Sequence, residues 1–342
     1  MTESIFSKKI TWFSFVFSLL VIWGHSYNAE LYLGGTEWGE PLGRLEYRII
    51  DWLAQIAVPG FFMISGYLFY RNFDMSRLRS KWESRIRSVL VPYILWNFLY
   101  YMGYVIGSRL PWMGEVVGKG VIPFYLDVAV EAIVNHTYNY VFWYLYQLIL
   151  LILLAPVLYP VLAKKWSRIV FFAALGILLW TDRRLPFLNT DALFYYSAAA
   201  TAALTKRDWI EQDEPGEMTW RLGIILIFAG VIAYILGLQH GMPVGFAACR
   251  FLTVAGLWLF VSGKKLPNVK TFMTHNFFLY AAHFGMVRFI NKAFARSFAG
   301  IPEVPLVLFA GMPFIVLGIS TVMAKIMRRL MPRTWTLLNG GR

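Results

Sequence analysis

Residues Ile10 to Tyr27 read ITWFSFVFSLLVIWGHSY, a run without a charged side chain that follows Lys8 and Lys9. A stretch of this length and composition crosses the ~30 Å hydrocarbon core of a bilayer as a helix. It could mimic a signal peptide, but Tyr27-Asn28-Ala29 is a poor cleavage site. The segment therefore reads as a retained anchor.

Outward from this run, similar stretches recur at 52–70, 89–107, 141–162, 169–181, 191–204, 221–238, 244–262, 272–290 and 303–325. With 10–27 they predict about ten transmembrane helices, those at 169–181 and 191–204 being near the lower length limit. Gly120 to His136 is partly apolar but holds Asp127 and Glu131, so it reads as an interfacial or re-entrant piece. Hydrophobic residues make up 58% of the 342 and charged ones 15%, against about 25% charged in soluble domains. No stretch between spans is long enough to fold alone. The expectation is an all-α, polytopic membrane helical bundle, with residues 1–342 as a single membrane domain.

Charge placement agrees with this count. With the N-terminus inside, 22 of the 32 Lys and Arg fall on cytoplasmic pieces, nine on outer loops, and Arg250 within a helix. That asymmetry puts both termini in the cytoplasm. The net charge of +13 then reflects membrane insertion, and no aromatic–basic motif points to nucleic acid. Cys249 is the only cysteine, which excludes a disulfide within the chain and a cysteine-built metal site; no metal is expected. The GEVVGKG stretch, Gly114 to Gly120, lacks the spacing and the Ser or Thr of a phosphate loop.

Polar side chains inside apolar spans usually face a protein interior or a wet cavity. Thr11, Ser14, Ser18 and His25 share one face of the first helix. His25 lies sixteen residues past Lys9, ~24 Å along the axis and therefore near the outer side. It either caps the helix at the interface or acts as a general base, its unperturbed pKa being ~6.5. Arg250 needs a partner such as Asp51 or Glu46, or else stabilises an oxyanion or phosphate. Further stripes carry Asn276, Tyr280 and His283; Tyr93, Asn97, Tyr101 and Tyr104; and Tyr140, Tyr144 and Gln147. Each is compatible with packing, and together they describe a polar lumen suited to hydroxyl-bearing ligands. Asn28, Asn97, Tyr144, Tyr280 and His283 are the substrate-binding candidates. The basic stretch from Arg71 to Arg87 serves topology and lipid headgroups, or holds the phosphates of an anionic cosubstrate through Lys81, Arg85 and Arg87.

Several of these segments resemble one known family. Val58 to Phe69 (VPGFFMISGYLF) is similar to its signature VPxFFxISGYLF. Arg85-Ile86-Arg87 and Val91 to Asn97 (VPYILWN) are similar to its KRIRxxLxPYxxWN segment. Phe142 to Leu145 (FWYL) and Asn276 to His283 (NFFLYAAH) resemble its later FWFL and SFFxYxxH motifs. In this order they resemble the acyltransferase 3 family of membrane O-acyltransferases. The resemblance implies a ten-helix bundle that moves an acyl group, usually acetyl, from acyl-CoA to a hydroxyl of a cell-surface carbohydrate or related acceptor. It implies His25 as the essential histidine, acyl-CoA as cosubstrate with no permanently bound cofactor, and a bacterial cytoplasmic (inner) membrane location. Ser14 departs from the arginine that many members carry eleven residues before the histidine, and Arg85 and Arg87 stand two apart in place of Arg-x-x-Arg. Arg250 is expected to supply part of the missing charge as a second catalytic residue. Direct transfer and a transient acyl-histidine both remain open, and the sequence leaves room for a homo-oligomer. The alternative reading is a transporter or exporter of a glycan or glycolipid. It lacks support from paired membrane carboxylates or matched broken helices.

Overall fold

A computed structural model describes residues 3–212 and 216–341, and among these every regular element is helical. The order begins α1 (Glu3–Gly24), α2 (Ala29–Leu33), α3 (Gly39–Leu53) and α4 (Ala57–Tyr70). Helix α5 (Leu78–Arg85) runs through a π-helical turn at Ile86–Leu90 into α6 (Val91–Gly107). The short α7 (Pro111–Val117) and α8 (Leu126–Val134) precede α9 (Trp143–Leu153) and α10 (Ala155–Ala163). Next come α11 (Lys165–Trp180), α12 (Thr190–Thr205), α13 (Arg207–Ile210), α14 (Glu217–His240) and α15 (Pro243–Phe260). The chain finishes with α16 (Asn276–Phe298), α17 (Glu303–Leu330) and α18 (Pro332–Leu338).

Helices occupy all ten expected positions, but they are not equivalent. Among the described residues, six are long and apolar enough to cross a membrane: Glu3–Leu33, Gly39–Tyr70, Met75–Gly107, Glu217–His240, Pro243–Phe260 and Glu303–Leu330. A seventh, covering α9 and α10, qualifies only as a broken span bent by 66°. Pro156 explains the break, because its ring disfavours helical backbone just before it and it lacks an N–H. Helices α11 and α12 have 16 residues each, ~24 Å of rise. Helix α16 carries Arg288, Lys292 and Arg296 in its second half.

Two stretches expected as loops are helical. Asp74 accepts hydrogen bonds from the N–H groups of Ser76 (2.9 Å) and Arg77 (3.3 Å), and this cap starts the turn that leads into α5. On the other side of α4, α3 joins it through a 3₁₀ turn at Ala54–Ile56. Helix α3 mixes charges with apolar residues, such as the Glu40–Arg44 pair at 2.6 Å, and so lies almost wholly outside the apolar run at 52–70. The GEVVGKG stretch also resolves: Gly114 to Val117 ends α7, and Gly118 caps it at φ 62°.

The chain divides into two compact units. One comprises Met1–Phe17, Gln55–Glu83 and Gln147–Thr274. Within it α4 meets α12 so closely that a Cβ at Gly66 would stand 2.4 Å from the Tyr196 carbonyl oxygen. Helix α14 packs on α15 the same way, with Gly223, Gly230 and Gly237 on one face. At the end of α4, Arg71 lies between two carboxylates. It donates to both oxygens of Glu211 (2.7 Å each) and to both of Glu3 (2.8 Å each), while the Tyr67 hydroxyl also donates to Glu211 (2.8 Å).

The other unit comprises Ser18–Ala54, Ser84–Tyr146 and His275–Arg342. Its core joins Ile22 of α1 and Tyr32 and Leu33 of α2 to Leu279 and Val287 of α16 and Met312 and Val316 of α17. A smaller cluster seats Ala129 and Ala132 of α8 against Tyr101 and Val105 of α6. Asp127 and Glu131 point outward from α8, so Gly120 to His136 holds a short packed helix.

Two outcomes follow. Leucine at Gly66 must push apart two backbones, and overpacking of this kind costs ~1–3 kcal/mol; thermal unfolding in detergent should show a melting temperature lower by several degrees. Burial works against the charge of Glu211, but hydrogen bonds from Arg71 and Tyr67 prevail and hold its pKa below the ordinary glutamate value. Its stabilisation is therefore complete above about pH 4.3 and fades as pH falls through the depressed folded value. The stability gap between wild type and Glu211→Gln should be wide at neutral pH and narrow on acidification. A gap independent of pH contradicts this.

Candidate active site

Helix α1 ends where its apolar run ends. The backbone tightens after Trp23, with the His25 N–H donating to Ile22 (3.1 Å) and the Ser26 hydroxyl to the same carbonyl (2.6 Å). Beyond the turn, one oxygen of Glu46 accepts the N–H groups of Asn28 and Ala29, each at 3.0 Å. A carboxylate at the first turn of α2 suits both the orphan donors and the helix dipole there. Asn28 then donates to the Asn291 side chain (3.1 Å), and the Tyr32 hydroxyl donates to the Asn291 carbonyl (3.1 Å). His25 thus sits in a short connection fixed on both sides.

Its imidazole has three ring neighbours. Nδ1 lies 3.0 Å from the Tyr140 hydroxyl. The His283 ring is 5.4 Å away, tilted by 33°, and the Phe284 ring meets it edge-on at 5.9 Å. Tyr140 also packs on Phe284, at 4.6 Å. His283 is fully buried, and its Nδ1–H donates to the Tyr280 carbonyl on the same helix. That bond fixes the neutral tautomer and leaves Nε2 as an acceptor, for which the described residues offer no partner.

Tyr280 links this ring pair to the segment that carries Tyr140. Its hydroxyl donates to the Val141 carbonyl (2.8 Å), its ring stacks on Phe142 (5.6 Å, 9°), and Tyr144 meets it edge-on at 5.8 Å. Tyr100 of α6 braces α16 around His283. It donates to the Ala281 carbonyl and accepts from the Gly285 N–H, both at 3.0 Å.

The structure therefore brings together four of the expected residues: His25, His283, Tyr280 and Tyr144. Asn28 belongs to the neighbouring Glu46–Asn291 cluster. Asn97 is buried but donates to the Tyr93 carbonyl of its own helix (2.9 Å). Tyr140 stood on a recognised stripe, but its bond to His25 was not foreseen; Tyr100, three residues past Asn97, could have been found by the same spacing. Arg250 belongs to the unit without His25, where it donates to the Tyr195 hydroxyl and feels the charge of Asp191. The expected partner Glu46 is instead committed to backbone N–H groups. Among the donor-side candidates, Lys81 reaches back to the Leu68 and Arg71 carbonyls at 3.5 and 3.3 Å, closing the end of α4. Arg85 ends α5 and Arg87 stands on the π-helical turn.

An imidazole held by a phenol beside a second imidazole, in an aromatic wall, can accept a proton from a hydroxyl or attack an activated acyl group. No curated protein and no solved structure matches the chain. A family model described as an acyltransferase domain matches residues 8–323, nearly the whole chain, and takes in every residue of this cluster. With its apolar membrane-crossing helices, this integral-membrane protein belongs to the acyltransferase 3 family of acyltransferases.

Proposed function

We propose that the protein moves an acyl group, acetyl in the simplest case, from acyl-CoA to a hydroxyl of a cell-surface carbohydrate or related acceptor. The observation that carries this reading is His25, with Nδ1 on the Tyr140 hydroxyl and its ring beside His283. With Nδ1–H donating to Tyr140, the lone pair of Nε2 is left to take the acceptor's proton. The resulting oxygen attacks the thioester carbonyl, the C–S bond breaks, and the proton on His25 passes to the departing CoA sulfur. Tyr280 and Tyr144 would line the acceptor's place, and Asn28 fixes the chain beyond His25.

On the donor side, Lys81, Arg85 and Arg87 would hold the CoA phosphates, a task that suits guanidinium forks and ammonium charges. The basic stretch and the positive-inside rule favour a donor that enters from the cytoplasm, and the protein would then stand in a bacterial inner membrane.

Two variants test the reading in membranes supplied with labelled acetyl-CoA. His25→Ala should lower acyl transfer by at least ~10²-fold, the scale of general-base catalysis, while the protein still inserts and melts as wild type does. Full transfer in that variant ends the proposal. Tyr140→Phe keeps the ring packing but frees Nδ1, so kcat should fall roughly ten-fold, about one hydrogen bond's worth, with little change in KM. An unchanged kcat would remove Tyr140 from the mechanism.

A further inference from the structure

A groove of about 500 Å³ lies within the second unit, between α6 and α16. Its wall on α16 runs from Phe278 to Phe289, about eleven residue steps and so ~16 Å along the axis. Trp96, Leu99 and Gly103 of α6 and Met323 of α17 keep it apolar. One charged residue lines it, Arg288, near one end.

Cations gather at that end. Lys292 lies one turn beyond Arg288 and donates to the Val116 carbonyl, and Lys119 sits over the Tyr104 and Tyr138 rings at 5.7 and 5.4 Å. Arg288 and Lys119 both act electrostatically on Lys292. Glu115, the nearby acid, pairs with Arg296 at 3.0 Å. Among the described residues, Arg288, Lys292 and Lys119 form no ion pair. Like charges held together disfavour one another until an anion joins them. A long apolar trough with a cationic mouth is the complement of a hydrocarbon chain ending in a phosphate.

The mouth also adjoins the histidine site. Phe284 lines the groove and packs against both His25 and Tyr140. Arg288 stands over that same ring at 5.5 Å, and its charge reaches the Tyr140 hydroxyl. A head group attached to a phosphate at Arg288 would lie one aromatic ring from His25.

We propose that the groove binds a lipid whose phosphate head group carries net negative charge, and that the acceptor hydroxyl reaches His25 on the head group of such a lipid. The second half rests on the acyltransferase reading; the first does not. Gly103 makes the test clean, because a Cβ there meets nothing within 4 Å, so Gly103→Phe fills the groove without forcing the fold. Full-length protein in detergent, offered phosphatidylglycerol or phosphatidylcholine, is read by native mass spectrometry for retained lipid. Wild type should keep phosphatidylglycerol over phosphatidylcholine, glycerol phosphate should not displace it, and Gly103→Phe and Arg288→Gln should each lower retention at least ten-fold. Equal retention of both lipids, displacement by glycerol phosphate, or full retention in Gly103→Phe overturns the lipid site. His25→Ala should bind lipid as wild type does. Transfer that persists in Gly103→Phe after lipid binding is lost overturns the acceptor assignment and leaves the acyltransferase reading standing. Lipid binding in a wild type devoid of transfer sinks that reading and leaves the groove.

Discussion

Hydrocarbon offers no hydrogen-bond partner, so an imidazole at the end of an apolar span must be held by protein. In this chain the holding is done from three directions. Glu46 grips the backbone just past His25, Tyr140 meets Nδ1, and His283 and Phe284 close the ring in. Those groups are in turn fixed, since Tyr280 ties α16 to the segment of Tyr140 and Asn291 ties it to α2. The imidazole thus rests on partners that are themselves held. Catalytic geometry tolerates little looseness, and partners that themselves have partners provide the needed rigidity.

The two units use different physics. One relies on small residues that let helices touch, as at Gly66 and along α14, and on a partly exposed charge network around Arg71. The other relies on aromatic rings and on polar groups that satisfy one another or the backbone. Nε2 of His283, beside His25, is one of several buried polar atoms in that unit without a hydrogen-bond partner among the described residues.

The run from Ile10 to Tyr27 made both the first span and the position of His25 readable, because apolarity and a terminal polar residue are local properties. The spacing of Tyr280 and His283 likewise exposed one wall of the site. Tyr140 was visible as a residue, but its bond to His25 joins positions far apart in the chain, and no periodicity encodes such a pairing. Glu46 looked like a partner for Arg250 because acids and bases attract; its actual partners are backbone amides, which a sequence does not display. Helix α3 was missed for a related reason: its charges leave it almost wholly outside the apolar run at 52–70. The number of spans was the least legible feature, since α11, α12 and α16 are helical yet too short or too polar for length and apolarity to decide.

The central claim is that acyl transfer takes place at the His25 imidazole. The most direct measurement is an experimental structure of the full-length protein in lipid with a non-hydrolysable acyl-CoA. The account predicts the acyl carbonyl close to His25 Nε2, separated from it by no more than the acceptor hydroxyl, with Tyr140 still on Nδ1. A carbonyl lodged away from His25, or a His25 ring turned out to the lipid, would contradict it.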